Sequence, residues 1–360
     1  MVRLIRSVQR AFWPACKILI AAGLLAWLLA RVPWRDGVVQ AADGTVSRCP
    51  GLLSTLRGVQ PGWLGLGLLS MSLSILVAAL RWRLLLRGQG VPVPVRTVVG
   101  LGFLGEFCGS ALPGMIGGDL VKAYSVARAV PRKSPVIVSV LVDRLMGVCG
   151  LGLLALAALP VAWRLGADRG SLRVAAFSVC AVFAAVGTGG AFLFSARVRR
   201  ALHIERFAQR LPFGRYLPHL LDALRSHGLH ARGTLWGAIG LTFAAHALTV
   251  LAVACVGRSL ALGAGWHSYF LYVPLILAIS AVPITPGGLG VMEELYVLYF
   301  AAGAGVSGGV ALALLARFVM MLSVLPGAVV LLAGPRLPGA RAVAEQFGAC
   351  ESAGDGQGPL

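Results

Sequence analysis

Charge is what this chain is short of. Only 12% of its 360 residues are Asp, Glu, Lys or Arg, against roughly 25% in an ordinary soluble domain. Acids are scarcest, 13 in all, and only three of the 32 basic residues are lysines (Lys17, Lys122 and Lys133). Hydrophobic residues make up 58% of the chain and the mean hydropathy is +0.84. A soluble core cannot hide that much apolar surface, so most of the chain is expected to be solvated by lipid. Soluble enzymes, nucleic-acid binders and disordered proteins are thereby excluded.

Other absences narrow the function. There is no Walker A pattern, no His-Glu-x-x-His and no Gly-x-Ser-x-Gly, so neither phosphate-loop, zinc-protease nor serine-hydrolase chemistry is expected. The seven cysteines show no metal or disulfide spacing. Cys16, Cys108, Cys149, Cys180 and Cys255 lie in or beside apolar runs, where Cys acts as a small hydrophobe, and Cys49 is expected to be a free thiol. No cofactor, metal or catalytic residue is expected, and the chain is not read as an enzyme.

What is there is a series of apolar runs with arginines between them. Candidate spans are Ala11–Ala30, Pro61–Leu80, Pro135–Leu159, Leu172–Phe194, Thr234–Val256 and Val310–Ala333, each near the length a bilayer demands of a helix. The first is read as an uncleaved anchor, because no small-x-small cleavage site follows it. Two further stretches, Val98–Val130 and Ser268–Gly303, are broken in the middle by Pro and clustered Gly, at 112–119 and 284–290. Pro removes a backbone donor and Gly relaxes the chain, so one helix stops there and another starts. Both are read as re-entrant hairpins. The expected fold is an all-α polytopic bundle forming one membrane domain over 1–334, with a disordered cytoplasmic tail at 335–360.

Six spans and two hairpins put 22 Lys and Arg on one side and 8 on the other. The positive-inside rule makes the richer side, with both termini, cytoplasmic. The net charge of +19 then serves orientation and anionic headgroups, not nucleic acid. The segment 196–233, with eight Arg and four His, reads as a basic loop lying on lipid. Arg81 and Arg83, at the end of a span, read as interface anchors, and His246 as hydrogen-bonded filler or a proton relay.

The two breaks repeat. An offset of 173 residues superposes Pro113, Gly114 and Gly117 on Pro286, Gly287 and Gly290, and Arg144 on Arg317. Intramembrane Arg is rare, so its recurrence outweighs that of the glycines. The halves 61–159 and 234–333 then read as an inverted repeat, the design of many secondary transporters, with the substrate site between discontinuous helices.

Ionisable residues at membrane depth are Glu106, Asp119, Lys122, Asp143, Arg144, Glu293, Glu294 and Arg317. Each costs about 2.5–3.5 kcal/mol at a helix centre, so they are expected to pair or to face a wet cavity shared by the two breaks. Asp119 opens the helix through Lys122 and is either an N-cap or a site residue. Glu293, rather than Glu294, is expected to face inward. Arg144 and Arg317 can grip phosphate oxygens in a bidentate fork, or lock the acids of the opposite repeat as structural ion pairs.

The stretches Ala-Leu-Pro-Gly-Met-Ile-Gly-Gly-Asp-Leu-Val-Lys-Ala-Tyr (111–124), Val-Asp-Arg-Leu-Met-Gly (142–147), Pro-Ile-Thr-Pro-Gly-Gly-Leu-Gly-Val-Met-Glu (283–293) and Leu-Ala-Arg (315–317) resemble the flippase-like family, the transmembrane region of lysylphosphatidylglycerol synthases. Lys122 stands where Arg is common in that family. In its larger members this region is implicated in moving an aminoacylated lipid that a separate cytosolic domain makes. That domain is not found in this sequence, so the resemblance implies translocation, with a separate lipid-modifying enzyme as a partner.

The expected function is a flippase of the inner membrane for a phospholipid or a polyprenyl-phosphate lipid. Its expected substrate-binding residues are Arg144, Arg317, Lys122, Asp119, Glu293, Pro113, Gly114, Pro286, Gly287 and Gly290. The alternative is a secondary transporter of a small soluble ion or metabolite. A membrane-embedded transferase finds no Asp-rich or His-rich motif to support it.

Overall fold

The computed structural model describes residues 30, 34–40, 46–49, 51–111, 116–131, 133–165, 169–194, 232–281, 285 and 288–333. The first expected span (apart from Ala30), the basic loop (apart from 232–233) and the tail lie outside them, as do Pro113, Gly114, Pro286 and Gly287.

The described residues are almost entirely helical. A two-stranded antiparallel hairpin, β1 (Gly37–Gln40) with β2 (Val46–Cys49), precedes them in a stretch that carried no strand signal. The helices are α1 (Leu52–Arg57), α2 (Pro61–Gly88), α3 (Val95–Ala111), α4 (Ile116–Ala127), α5 (Ser134–Arg164), α6 (Arg169–Phe194), α7 (Arg232–Ser259), α8 (Trp266–Ser280), α9 (Val291–Ser323) and α10 (Pro326–Ala333). Among the described residues, four stretches are long and apolar enough to cross a membrane: Pro61–Gly88, Ser134–Arg164, Gly233–Ser259 and Gly303–Ala333. This is a multi-pass membrane protein. Its outer faces carry exposed Leu66, Leu69 and Phe177, surface that lipid, unlike water, solvates without penalty. Exposed Trp163 and Trp236 sit near helix ends, where indole rings settle at the bilayer interface.

Helix ends follow local chemistry. Pro61 and Pro135 occupy the first turns of α2 and α5, where a missing N–H costs nothing. α2 runs eight residues beyond the expected end of its span, through the Arg-Trp-Arg stretch, and stops where Gly90 turns the chain at φ +72°. α9 is interrupted at Gly305, whose φ of 70° and ψ of 166° are not helical. Hence its first part is separate from the apolar stretch that continues into α10.

The centre of the bundle is α2 against α7. Gly67 approaches the Ala252 carbonyl so closely that a methyl group there would lie 3.1 Å away. Ser70 Oγ donates to the Leu248 carbonyl (2.8 Å), and Ser74 bonds Thr249 (2.7 Å). Small residues and hydroxyl bridges are what hold helices together when lipid removes the hydrophobic drive between them. Around this pair, α3 folds back on α4 and also packs on α10, while α8 packs on α5 and α9. An aromatic group seals α8 to α9, with Tyr272 stacked on Tyr299 at 5.0 Å and edge-on to Phe300 at 5.6 Å.

The α3–α4 hairpin is tight because of two glycines. A methyl group at Gly118 would lie 2.0 Å from the Gly105 carbonyl oxygen, and one at Gly105 would strike the Lys122 side chain. Backbone has nowhere to retreat, so Gly118→Ala must spread the hairpin, at a cost of about 1–3 kcal/mol for an overpacked contact. Gly62, with nothing within 4 Å of the added methyl, is the control. Thermal unfolding in detergent should show Gly118→Ala clearly destabilised and Gly62→Ala close to the parent protein.

Candidate functional site

Of the eight charged residues expected at membrane depth, six fall into two groups, each built around one break. In the first, α4 opens after the first break with Asp119 in its first turn, where the helix dipole favours a negative charge. Arg144, on α5, donates through Nε to Asp119 Oδ2. Lys122, one turn along α4, lies 3.6 Å from Asp119 and 3.4 Å from Glu106 of α3. Its stem runs over Gly105, and this contact delivers the amine to Glu106. Asp119 is therefore an ion-pair partner inside the helix, a role beyond capping.

In the second group, Gly288 and Gly290 take φ values of +68° and +81°, a left-handed backbone that only glycine adopts without strain. α9 begins directly after Gly290. Glu293 reaches back to accept a hydrogen bond from the Gly290 N–H at 2.7 Å and accepts another from Arg317 Nε–H at 2.5 Å on its other oxygen. Arg317 Nη2 also donates to the Gly288 carbonyl at 3.4 Å and approaches Met292 Sδ at 3.6 Å. Of the two adjacent glutamates, Glu293 is the one turned fully inward, at 1% exposure.

One expectation is corrected here. Each arginine is held by the acid that opens the helix after its own break, not by the acid of the opposite repeat. The two also differ in exposure. The Arg144 side chain is 46% exposed, whereas that of Arg317 is 9% exposed. The first group is open and carries a half-exposed Glu106 at its rim; the second is sealed. The first group therefore presents both signs of charge, the Arg144 guanidinium and the Glu106 carboxylate, at the surface, with Lys122 and Asp119 beneath them.

A third pair was missed. Arg81 is buried, not an interface anchor: its Nε donates to Asp143 at 2.7 Å and its Nη1 to Thr242 at 3.3 Å. One turn of α5 further on, His246 of α7 bonds the Gly147 carbonyl at 2.9 Å. These contacts join α2, α5 and α7 in a polar layer whose Asp143 adjoins Arg144 in sequence. The signal was present: the apolar Leu84-Leu85-Leu86 continues the helix past Arg81, and Asp143 lacks a basic partner on its own helix face. Arg83, by contrast, donates to the Val93 carbonyl at 3.0 Å and tethers the turn after α2. No group of three or more His, Cys, Asp or Glu poised for a metal occurs among the described residues.

Compared with known families, residues 14–327 match the model for the lysylphosphatidylglycerol synthase TM region. No curated protein matches the chain.

The different surroundings of the two pairs have measurable consequences. Removing one member of a buried ion pair strands the other charge and costs about 3–5 kcal/mol, while replacing both with apolar residues is often neutral. Thus Arg317→Met or Glu293→Met alone should sharply lower the unfolding temperature, and the double substitution should recover most of the loss. Arg144→Met, at a half-exposed pair, should shift it little. A double-mutant cycle in detergent measures both.

Proposed function

The chain belongs to the lysylphosphatidylglycerol synthase TM-region family, and from that premise we propose that it translocates a phospholipid or polyprenyl-phosphate lipid across the cytoplasmic membrane. The observation that carries this reading is the cluster of Glu106, Asp119 and Lys122 on the α3–α4 hairpin with Arg144 of α5, of which Arg144 and Glu106 reach the surface. Arg144 and Lys122 bind the headgroup phosphate, and the carboxylates of Asp119 and Glu106 hold those cations in place and take any cationic substituent. The acyl or prenyl tails stay in the bilayer. Arg317 and Glu293 form the equivalent group of the second half. The chain moves the lipid, and a separate enzyme makes or modifies it.

The repeat supports this reading. Under the 173-residue offset, α2 falls on α7, α3 on α8, α4 on the first part of α9 and α5 on the stretch after Gly305. The packing exchanges accordingly. The two matching spans α2 and α7 lie against each other, α3 of one half packs on α10 of the other, and α8 of the other packs on α5 of the first. Elements that swap partners in this way are what two copies of a span–hairpin–span unit produce about a two-fold axis. In a bilayer, oppositely oriented copies place their broken helices at one depth, where freed backbone groups and side chains meet a headgroup. On this reading the hairpins are re-entrant and both termini face the cytoplasm.

The protein reconstituted in vesicles with headgroup-labelled phosphatidylglycerol or a polyprenyl-phosphate lipid should speed exchange between leaflets. Arg144→Gln should slow it at least about tenfold, the loss of one charge-assisted contact, with unchanged folding. Exchange that is indifferent to Arg144 and Lys122, or uptake of a soluble anion with no lipid exchange, would overturn the proposal.

A further inference from the structure

α4 and α5 run antiparallel about a short turn. Val126, Val130 and Val136 share one apolar cluster beside that turn, and further along the two helices Arg144 meets Asp119. Their outward faces carry a pattern. On α4, Leu120 and Tyr124 are 57% and 64% exposed, and Arg128, one turn beyond Tyr124, is exposed as well. A spacing of four puts these three on one face. On α5, Ile137 and Arg144 are exposed two turns apart, and exposed Lys133 stands one turn before Ile137, immediately ahead of the helix.

Arg128 and Lys133 have no carboxylate partner among the described residues. Arg128 is nonetheless held in place, since its guanidinium lies over the Tyr124 ring, 5.5 Å from the ring centre. A cation–π contact fixes the plane of the group and leaves the N–H donors at its edge to grip phosphate oxygens in a fork. Depth follows from helix geometry. Asp119 lies nine residues before Arg128, and Arg144 eleven after Lys133. At 1.5 Å per residue these distances are about 14 and 17 Å, half of a hydrocarbon core of about 30 Å. With the turn at headgroup level, the surface between Arg128 and Arg144 is as long as one leaflet is deep.

We propose that this face is a loading site for an anionic phospholipid of the leaflet nearest the turn. The phosphate binds Arg128 and Lys133, and the acyl chains lie along Tyr124, Leu120 and Ile137. Charge and length together name the occupant. A soluble anion would use the two cations and not the apolar surface below them, whereas an uncharged lipid would use the apolar surface and not the cations. Tyr124 is a positioning residue, acting on the phosphate through Arg128. The site rests on the lipid reading of the Arg144 cluster, because Arg144 is the cation at the far end of the face. Binding at the turn is nevertheless a separate event, measured without any lipid crossing the bilayer.

The test uses the full chain in phosphatidylcholine nanodiscs containing a trace of phosphatidylglycerol with a photoreactive acyl chain. Crosslinks should map to residues 120–137, and unlabelled phosphatidylglycerol should compete for them where phosphatidylcholine and soluble glycerol phosphate do not. The double variant Arg128→Gln, Lys133→Gln should cut this labelling about tenfold. Tyr124→Leu should cut it about threefold, and Tyr124→Phe, which keeps the aromatic face, should leave it unchanged. Should the double variant fail to fold, the competition on the parent protein decides. In the leaflet-exchange assay, Arg128→Gln should raise the lipid concentration that gives half the maximal rate and leave the maximum near that of the parent, whereas Arg144→Gln lowers the maximum. Labelling that depends on Arg128 and Lys133 in a protein that exchanges no lipid would uphold the site and sink the translocation reading instead. Labelling indifferent to both cations, or competed equally by phosphatidylcholine, would mark ordinary boundary lipid and overturn the proposal. Competition by glycerol phosphate as strong as that by phosphatidylglycerol would overturn a lipid as the occupant.

Discussion

A charge inside a bilayer must bring its counter-charge with it, and a helix broken there must find partners for the backbone groups it frees. On the proposed reading, the same device meets both demands twice in this chain. An acid in the first turn after each break sits where freed amides and the helix dipole favour a negative charge. An arginine further along then closes the pair, from α5 for Asp119, 25 residues on, and from the part of α9 beyond Gly305 for Glu293, 24 residues on. Glu293 shows the economy of the arrangement, since one oxygen caps Gly290 while the other receives Arg317. Without that carboxylate both a helix end and a guanidinium would be stranded in a low dielectric.

The two versions differ in access, and the difference bears on mechanism. Arg144 and Glu106 reach the surface, while Arg317 and Glu293 are enclosed. On the proposed reading, one hairpin presents its charges to a headgroup while its counterpart is shut, the relationship that two copies of one unit adopt when only one side of a carrier is open. Lipid binding then shifts a balance between two such arrangements in proportion to its differential affinity for them. The Arg81–Asp143–Thr242 layer lies between the central spans and the open cluster. It ties the position of α5, and so of Arg144, to α2 and α7.

Much of this was legible in the chain of letters, for a physical reason: lipid permits few backbone solutions, so long apolar runs and interruptions by Pro and Gly translate almost directly into helices and breaks. α2, α5, α7 and the stretch before Ala333 lie where hydropathy put them, and Gly290 and Glu293 open a helix as their spacing implied. The errors concern side-chain direction. Arg81 was assigned to the interface because a charge ends an apolar run in one dimension; in three dimensions Asp143 comes from another helix to meet it. Likewise, the pairing of each arginine within its own half depends on how far α5 and α9 swing back, which periodicity does not encode. The β1–β2 hairpin lies in a short stretch with mixed composition and left no pattern to read.

Glycine is abundant here for a reason that composition alone misstates. It can be taken as loosening the chain, yet Gly105 and Gly118 do the opposite in the α3–α4 hairpin. Their missing side chains let backbone meet backbone, and the Lys122 stem lies in the groove so formed. A wider hairpin would carry the amine away from Glu106 and leave it to Asp119 alone. Arg144 would then share Asp119 with an amine that has lost its second carboxylate, and the charge balance of the cluster would change without any charged residue being altered. In this fold the electrostatics of the site are therefore set by steric contacts between residues that carry no charge.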